Sequence, residues 1–510
     1  MKRLFVVLLI LSCVCSVFAS GSKEASSASN FGTALKGPGN VTLKRLGYNV
    51  AFDVNKDIIV QVTKQATGYD VEYYALPAQN ADEKLLMEVA SGKDYDVVNL
   101  TVDQWRTLVS NGALQPLNDL LDSYGQDILK GNSAETWKAL SDEKGTIYGV
   151  PYMYPYGTEV SSFMVARMDL LRKAGIQEIP TTLDAFYDML VTLKKFYGDQ
   201  YIILAGPYRN AAEGSQALTF PRIISSAFGI YNDWMVEDGK VIYLSEHKNF
   251  PALVSFLAKC ATEGLFDSDW AANTTSSITE KFASGKAIIA CADRNLAQSS
   301  IPVLKSNLGL TDDDFGFISA LEGSDGTCTY LESTAINHVS AILKNSKNAS
   351  DAVNWMNLKV QNQLFINIGV EGIHFTYDTD GSIKPINPIF ADERGNSYYY
   401  NDVTNEAEFK FEWPSRIRKS AAQWLAFDNV TMKTNKERPE IFVKNEFAFM
   451  PASENMAKYN TTLLNSINDF VLQVMSGSRS VDDIKTYTND WKNNGGEAVR
   501  SDLAAYLASK

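Results

Sequence analysis

The chain has 510 residues, with 60 acidic against 47 basic side chains and a formal charge of −13. That balance weighs against nucleic acid or an anionic lipid surface as a partner, because both reward clustered Lys and Arg. The length exceeds the size at which one hydrophobic core stops growing, so at least two folded units are expected.

Lys2 and Arg3 precede an apolar run, Leu4 to Leu11, and Val17-Phe18-Ala19 has the small-residue spacing of a signal-peptidase site, so residues 1–19 read as an export signal. The run is too short to span a bilayer, which takes about 20 apolar residues. Ile10-Leu11-Ser12-Cys13 also has the form of a loose lipobox, and Cys13 would then carry a lipid anchor at a membrane face. Loss of residues 1–19 removes two basic residues and no acid, taking the charge from −13 to −15. It leaves Cys260, Cys291 and Cys328, enough for at most one disulfide. Residues 20–40 are rich in Ser, Ala and Gly without apolar period, and read as a flexible tether.

From Val41 onward, short apolar runs alternate with amphipathic segments, the signature of an α/β layered fold. Residues 95–100 form a short buried-strand run. Asp103 is placed to cap the helix after it, and Gly112 to end that helix. Trp105 shares an apolar stripe with Leu108 and Val109 and reads as core. Thr181-Thr182-Leu183-Asp184 opens a second helix, with Leu183, Phe186, Tyr187, Leu190, Leu193 and Phe196 on one stripe and Gly198 at its end. Residues 201–205 resume as a strand that breaks at Gly206-Pro207, and residues 286–290 form another. The last third is more helical, over 460–475 and 482–491, with Gly477 between.

Catalytic chemistry finds little material. His247, His338 and His374 are not at metal-ligand spacing, and neither a Gly-x-Ser-x-Gly elbow nor a phosphate-binding Gly loop is present. No metal, cofactor or catalytic set is therefore assigned. Glu322 and Glu332 flank residues 323–331, so the alternative reading is a secreted polysaccharide-active enzyme using two carboxylates. Asp378-Thr379-Asp380-Gly381 lacks the Glu that closes a calcium loop and reads as a hairpin turn. Ser397-Tyr398-Tyr399-Tyr400 would suit an exposed adhesive patch under a third reading.

Four blocks carry a resemblance: Tyr95-Asp96-Val97-Val98 with Asn111-Gly112-Ala113-Leu114-Gln115-Pro116-Leu117; Tyr148-Gly149-Val150-Pro151-Tyr152; Arg167-Met168-Asp169-Leu170-Leu171 with Pro180-Thr181-Thr182-Leu183-Asp184-Ala185-Phe186; and the tail from Gly477 through Trp491 to Gly496. In this order they resemble the extracellular solute-binding proteins of carbohydrate ABC transporters, in their larger, lipoprotein-like branch. Members of that branch usually show a clear lipidated Cys, and this chain departs from them there.

The resemblance implies a type II periplasmic-binding fold, two α/β lobes joined by a hinge with the ligand between them. On that basis residues 41–151 and 300–350 are expected in lobe I, and 152–299 and 351–510 in lobe II. It implies a monomeric receptor outside the cytoplasm that captures a mono- or oligosaccharide for a membrane permease without catalysis. A sugar needs aromatic faces and fixed polar groups at strand ends. The candidates are Asp103 and Tyr208, matching family positions, with Thr101, Tyr48, Asn49, Tyr152, Tyr154, Tyr156, Asp293, Arg294, Glu371 and His374.

Overall fold

The computed structural model describes residues 34–142, 144–153, 162–206, 222–332, 336–447 and 453–509, with Thr158, Val160 and Met450. The expected export signal and Cys13 lie outside these residues. Nine strands build the two larger sheets: β1 (Thr42–Gly47), β2 (Asp70–Ala75), β3 (Val97–Leu100), β4 (Val150–Met153), β5 (Phe163–Arg167), β6 (Ile202–Ala205), β7 (Ala287–Ala292), β8 (Phe315–Ile318) and β9 (Ile336–Ala341). The first sheet has the order β2-β1-β3-β9-β4 and the second β8-β5-β7-β6. Strands β3, β4, β5 and β7 are buried along their whole length. Their unbroken apolar runs are what a sheet covered on both faces requires.

Local capping sets the helices. Helix α1 (Val102–Ser110) starts at Thr101, whose side chain accepts from the Gln104 amide while Gln104 reaches back to the Thr101 amide. Asp103, expected at that cap, lies inside the first turn instead, because the hydroxyl of Thr101 already occupies the amide. Helix α2 (Leu183–Tyr197) is capped by Thr182 and ends at Gly198, whose φ of 58° suits glycine. Its buried face is Leu183, Phe186, Met189, Leu190 and Leu193; Phe196 stands exposed. At the end of β6, Gly206 has φ +155, and a Cβ there would meet Cys291 Sγ at 2.3 Å, so only glycine passes.

Each sheet has its own core. Leu43, Val97, Leu121, Trp355 and Met356 pack on the first. Phe163, Leu190, Phe250 and Ile289 pack on the second, joined by Ile467 and Trp491 from the C-terminal helices. Two expected boundaries shift. Residue 300 falls inside helix α3 (Arg294–Leu308), whose Leu296, Ile301 and Leu304 join the second core. Residues 351–417, expected with lobe II, stay with the first unit instead: helix α4 (Ala349–Gln361) contributes Val353, Trp355 and Met356 to the core of the first sheet. The cause is β9, which returns as an inner strand between β3 and β4. Chain that follows stays on that side through helix α5 (Glu406–Ile417), then passes to helix α6 (Ala421–Phe427), packed in the second core through Ala422 and Ala426.

A buried charge cluster ties β1 to this late segment. Asp402 accepts from Arg45 Nε at 2.9 Å and from Lys359 Nζ at 2.6 Å, and Arg45 also donates to the Tyr399 carbonyl at 2.9 Å. The tether expected over 20–40 ends sooner than expected, because the Lys36 and Gly37 amides donate to buried Asp351 at 3.1 and 2.8 Å. Tyr399 and Tyr400 are fully buried, so the segment 397–400, which the third reading would need as an exposed patch, is mostly core. The turn between Phe375–Tyr377 and Ile383–Pro385 is a hairpin, with Gly381 at φ 79. Cys260, Cys291 and Cys328 are buried free thiols. Among the described residues no helix is long and apolar enough to cross a membrane.

Candidate functional site

Strand direction brings two sheet edges into register with the crossings. Strands β1 and β3 run parallel, and β9 is antiparallel to β3 and β4, so the ends of β1, β3 and β4 and the start of β9 share one edge. In the second sheet the ends of β6, β7 and β8 share an edge with the start of β5. The chain passes from β4 to β5 and from β8 to β9 between these same two edges. Side chains at the strand ends therefore meet where the two units adjoin, the place where open α/β sheets hold ligands.

An aromatic wall runs along this junction. Tyr48, just past β1, stacks on His338 at 5.0 Å, and His338 stacks on Tyr152 at 6.2 Å. Tyr152 meets Phe409 edge-on at 5.6 Å, and Phe409 lies 5.6 Å from Trp413. Arg294, the first residue of α3 in the second unit, places its guanidinium 5.5 Å from the Trp413 ring. Phe409 and Trp413 are four residues apart on α5 and so share a face. Tyr399 closes the far end, edge-on to Tyr48 at 5.1 Å and 4.6 Å under the Arg45 guanidinium.

Burial sets the protonation of the wall. Desolvation, and after it Arg45, push the His338 imidazole down to about 4, so at neutral pH it is an uncharged ring between two tyrosines. Burial also raises the Tyr48 and Tyr152 hydroxyls above the ordinary phenol value, so both stay protonated. Arg416, on the same helix face as Phe409, is buried beside Tyr152, Tyr398 and Tyr48; desolvation lowers its pKa, and those neighbours and Glu412 oppose the fall. Its Nη1 donates to Ser397 Oγ at 2.5 Å. No metal ligand set of three or more His, Cys, Asp or Glu occurs among the described residues.

The profile of the bacterial extracellular solute-binding proteins matches residues 54–363. The chain belongs to that family. Lipoprotein LipO of Bacillus subtilis is 22% identical to this solute-binding protein over 488 residues, covering 89% of it and 90% of LipO. Its fold matches the Streptococcus pneumoniae ABC-transporter substrate-binding protein FusA in complex with kestose, with a TM-score of 0.65 and 18% identity over 92% of this chain and 99% of that one. A solute-binding protein from Bifidobacterium longum infantis, associated with an HMO-binding ABC transporter, gives 0.69 and 14% over 92% and 98%.

Of the twelve residues singled out in the sequence of this solute-binding protein, Tyr48, Tyr152 and Arg294 stand in the wall. Asn49 and Thr101 are exposed on the same edge. Asp103 is 92% exposed, with Arg106 at 3.3 Å, and Arg106 in turn donates to the Met450 carbonyl at 2.6 Å across to the second unit. Asp293 caps α3 by accepting from the Leu296 amide at 2.8 Å, a structural task that orients Arg294. Glu371 and His374 belong to a turn in which His374 Nδ1 accepts from the Val370 amide at 3.0 Å and Nε2 bonds Glu393 at 2.9 Å. Tyr154, Tyr156 and Tyr208 lie outside the described residues.

Sequence reading missed His338, Tyr398, Phe409, Trp413 and Arg416. For three of these a signal existed in the i, i+4, i+7 spacing of Phe409, Trp413 and Arg416. Nothing local marked His338, which joins the wall by standing opposite Tyr152 across β9 and β4.

Proposed function

We propose that this protein is the extracytoplasmic receptor of an ABC uptake transporter, and that it captures a sugar or oligosaccharide between its two units by closing on it, without catalysis. The observation that carries this reading is the aromatic wall Tyr48–His338–Tyr152–Phe409–Trp413, continued by Arg294 of the second unit. A pyranose or furanose ring offers C–H faces to such rings and hydroxyls to the polar groups at their edges. Tyr398, Arg416 and, at the rim, Asn49, Thr101 and Asp103 supply those groups. The complex of FusA with kestose supports the same ligand class. Of the two processing routes, cleavage after Ala19 would release the receptor and use of the lipobox would anchor it to the membrane through Cys13, as the name of LipO suggests for that relative.

The test is thermal unfolding of residues 20–510 against a panel of mono- and oligosaccharides, with the sugar assayed before and after. A ligand that binds only the folded state adds about 2.7 kcal/mol at a hundredfold excess over Kd. A raised midpoint with the sugar unconsumed, lost in Tyr48→Ala and Trp413→Ala, is the expected result. Sugar consumed in the assay points instead to the enzyme reading, and a flat panel removes the carbohydrate.

A further inference from the structure

Arg416, Arg418 and Lys419 put three cations within four residues, where α5 gives way to α6. Arg418 is occupied: it donates to Ser382 Oγ and the Ile383 carbonyl, and lies 4.1 Å from the Trp424 ring. Arg416 and Lys419 are different. Arg416 is 7% exposed, and its Nε has no hydrogen-bond acceptor among the described residues. Among the described residues Lys419 Nζ donates only to the Gly395 carbonyl, at 3.1 Å. Both cations lie 5.6 Å from the ring of Tyr398, which is half-buried.

Neither forms an ion pair with a carboxylate among the described residues, in a chain with 60 acidic side chains. Other buried cations do reach one: Arg45 and Lys359 share Asp402, and Arg167 meets Asp169 at 2.7 Å. The carboxylate whose charge acts on Arg416 is Glu412, which is bonded by Asn367 at 2.9 Å and pushed up by burial to about 7, so its compensating charge is incomplete at neutral pH. Burial, and then Arg416, lower Lys419 to about 8. A desolvated cation without a counter-charge is costly, and an anion delivered from outside removes that cost.

On the reading that this chain is a sugar receptor, we propose that its ligand is an acidic oligosaccharide, with a uronate carboxylate seated between Arg416 and Lys419 and its ring on Tyr398. The carboxylate accepts charge-assisted hydrogen bonds from the buried, unpaired Arg416 Nε–H and the Lys419 ammonium.

Calorimetric titration of residues 20–510 tests this, using oligogalacturonides and oligoglucuronides of two to four units, their methyl esters, and neutral oligosaccharides of equal length. The ester keeps the sugar and removes the charge. The acid form should bind at least tenfold more tightly than its ester, and weaken as salt rises. Arg416→Gln and Lys419→Met should each weaken the acid form at least tenfold, with Lys419→Arg close to the parent. If Arg416→Gln does not fold, the ester comparison on the unmodified protein and Lys419→Met still decide. Equal binding of acid and ester, or binding of neutral sugars alone, overturns the acidic ligand and leaves the receptor reading standing. Binding of no saccharide overturns both.

Discussion

Replacing Asp402 with Asn removes one charge from the hub that ties β1 to the segment before α5. Its carboxylate serves two cations, Arg45 at 2.9 Å and Lys359 at 2.6 Å, and all three side chains are 3% exposed or less. Burial alone would raise the Asp402 pKa, but Arg45 and Lys359 outweigh it and hold the carboxyl below the usual range. Asparagine keeps the shape and leaves two buried cations facing each other. Removing one partner of a buried pair costs about 3–5 kcal/mol, and one carboxylate serving two cations places the loss near the top of that range. With a urea slope on the order of 3 kcal/mol/M, the midpoint for the first unit falls by roughly 1.3–1.7 M. Intrinsic fluorescence follows it, since Trp355 lies 4.3 Å from Lys359 Nζ. The combined change Arg45→Met, Asp402→Leu, Lys359→Met should recover most of the loss, because it leaves no stranded charge. A depressed folded pKa means the Asp402 contribution is present above the unfolded value of about 3.9 and lost as pH falls through the folded one, so parent and variant should converge in strong acid. A loss under about 1 kcal/mol, or a triple variant no better than the single one, would refute charge compensation as what holds this junction.

Glu412 has the opposite sign. Burial raises its carboxyl to about 7 against the bonds from Asn367 and Gln363, so folding takes up a proton and stability falls as pH rises from about 4 through 7. Glu412→Gln should gain about 2–3 kcal/mol at pH 8 and nothing at pH 4, and a gain independent of pH in unfolding titrations counts against the shift. Gly369→Ala should lower the thermal midpoint, because φ is +103 and the added Cβ would meet His374 Cγ at 2.5 Å. Strain of that kind costs about 1–3 kcal/mol, and an unchanged midpoint would show that the His374 turn yields freely.

What could be read from the sequence was what local rules decide. Helix α2 appears from Thr182 to Gly198 because both ends carry their own caps. The Thr101 and Asp103 assignment failed by two residues because both side chains can cap, and only the Gln104 partner chooses between them. Tyr48, Tyr152 and Arg294 were legible as strand and helix ends. Glu371 and His374 looked equally placed, yet the bond from His374 to Glu393, nineteen residues on, holds a turn. The boundary errors share one cause. Strand β9 inserts between β3 and β4, a pairing over more than 180 residues that no local period announces.

That insertion also sets an order of events during synthesis. Strand β3 ends at Leu100 and, paired with β1 on one side, cannot gain its second neighbour until Ile336 to Ala341 has emerged, an interval of roughly 10–50 s at ribosomal speed. The second unit waits as well, since its core closes on Ile467, Trp491 and Leu503 near the far end of the chain. Neither unit can complete its core until most of the chain has been made, which delays the stable folds that would hinder passage of an extracellular protein through a narrow conduit.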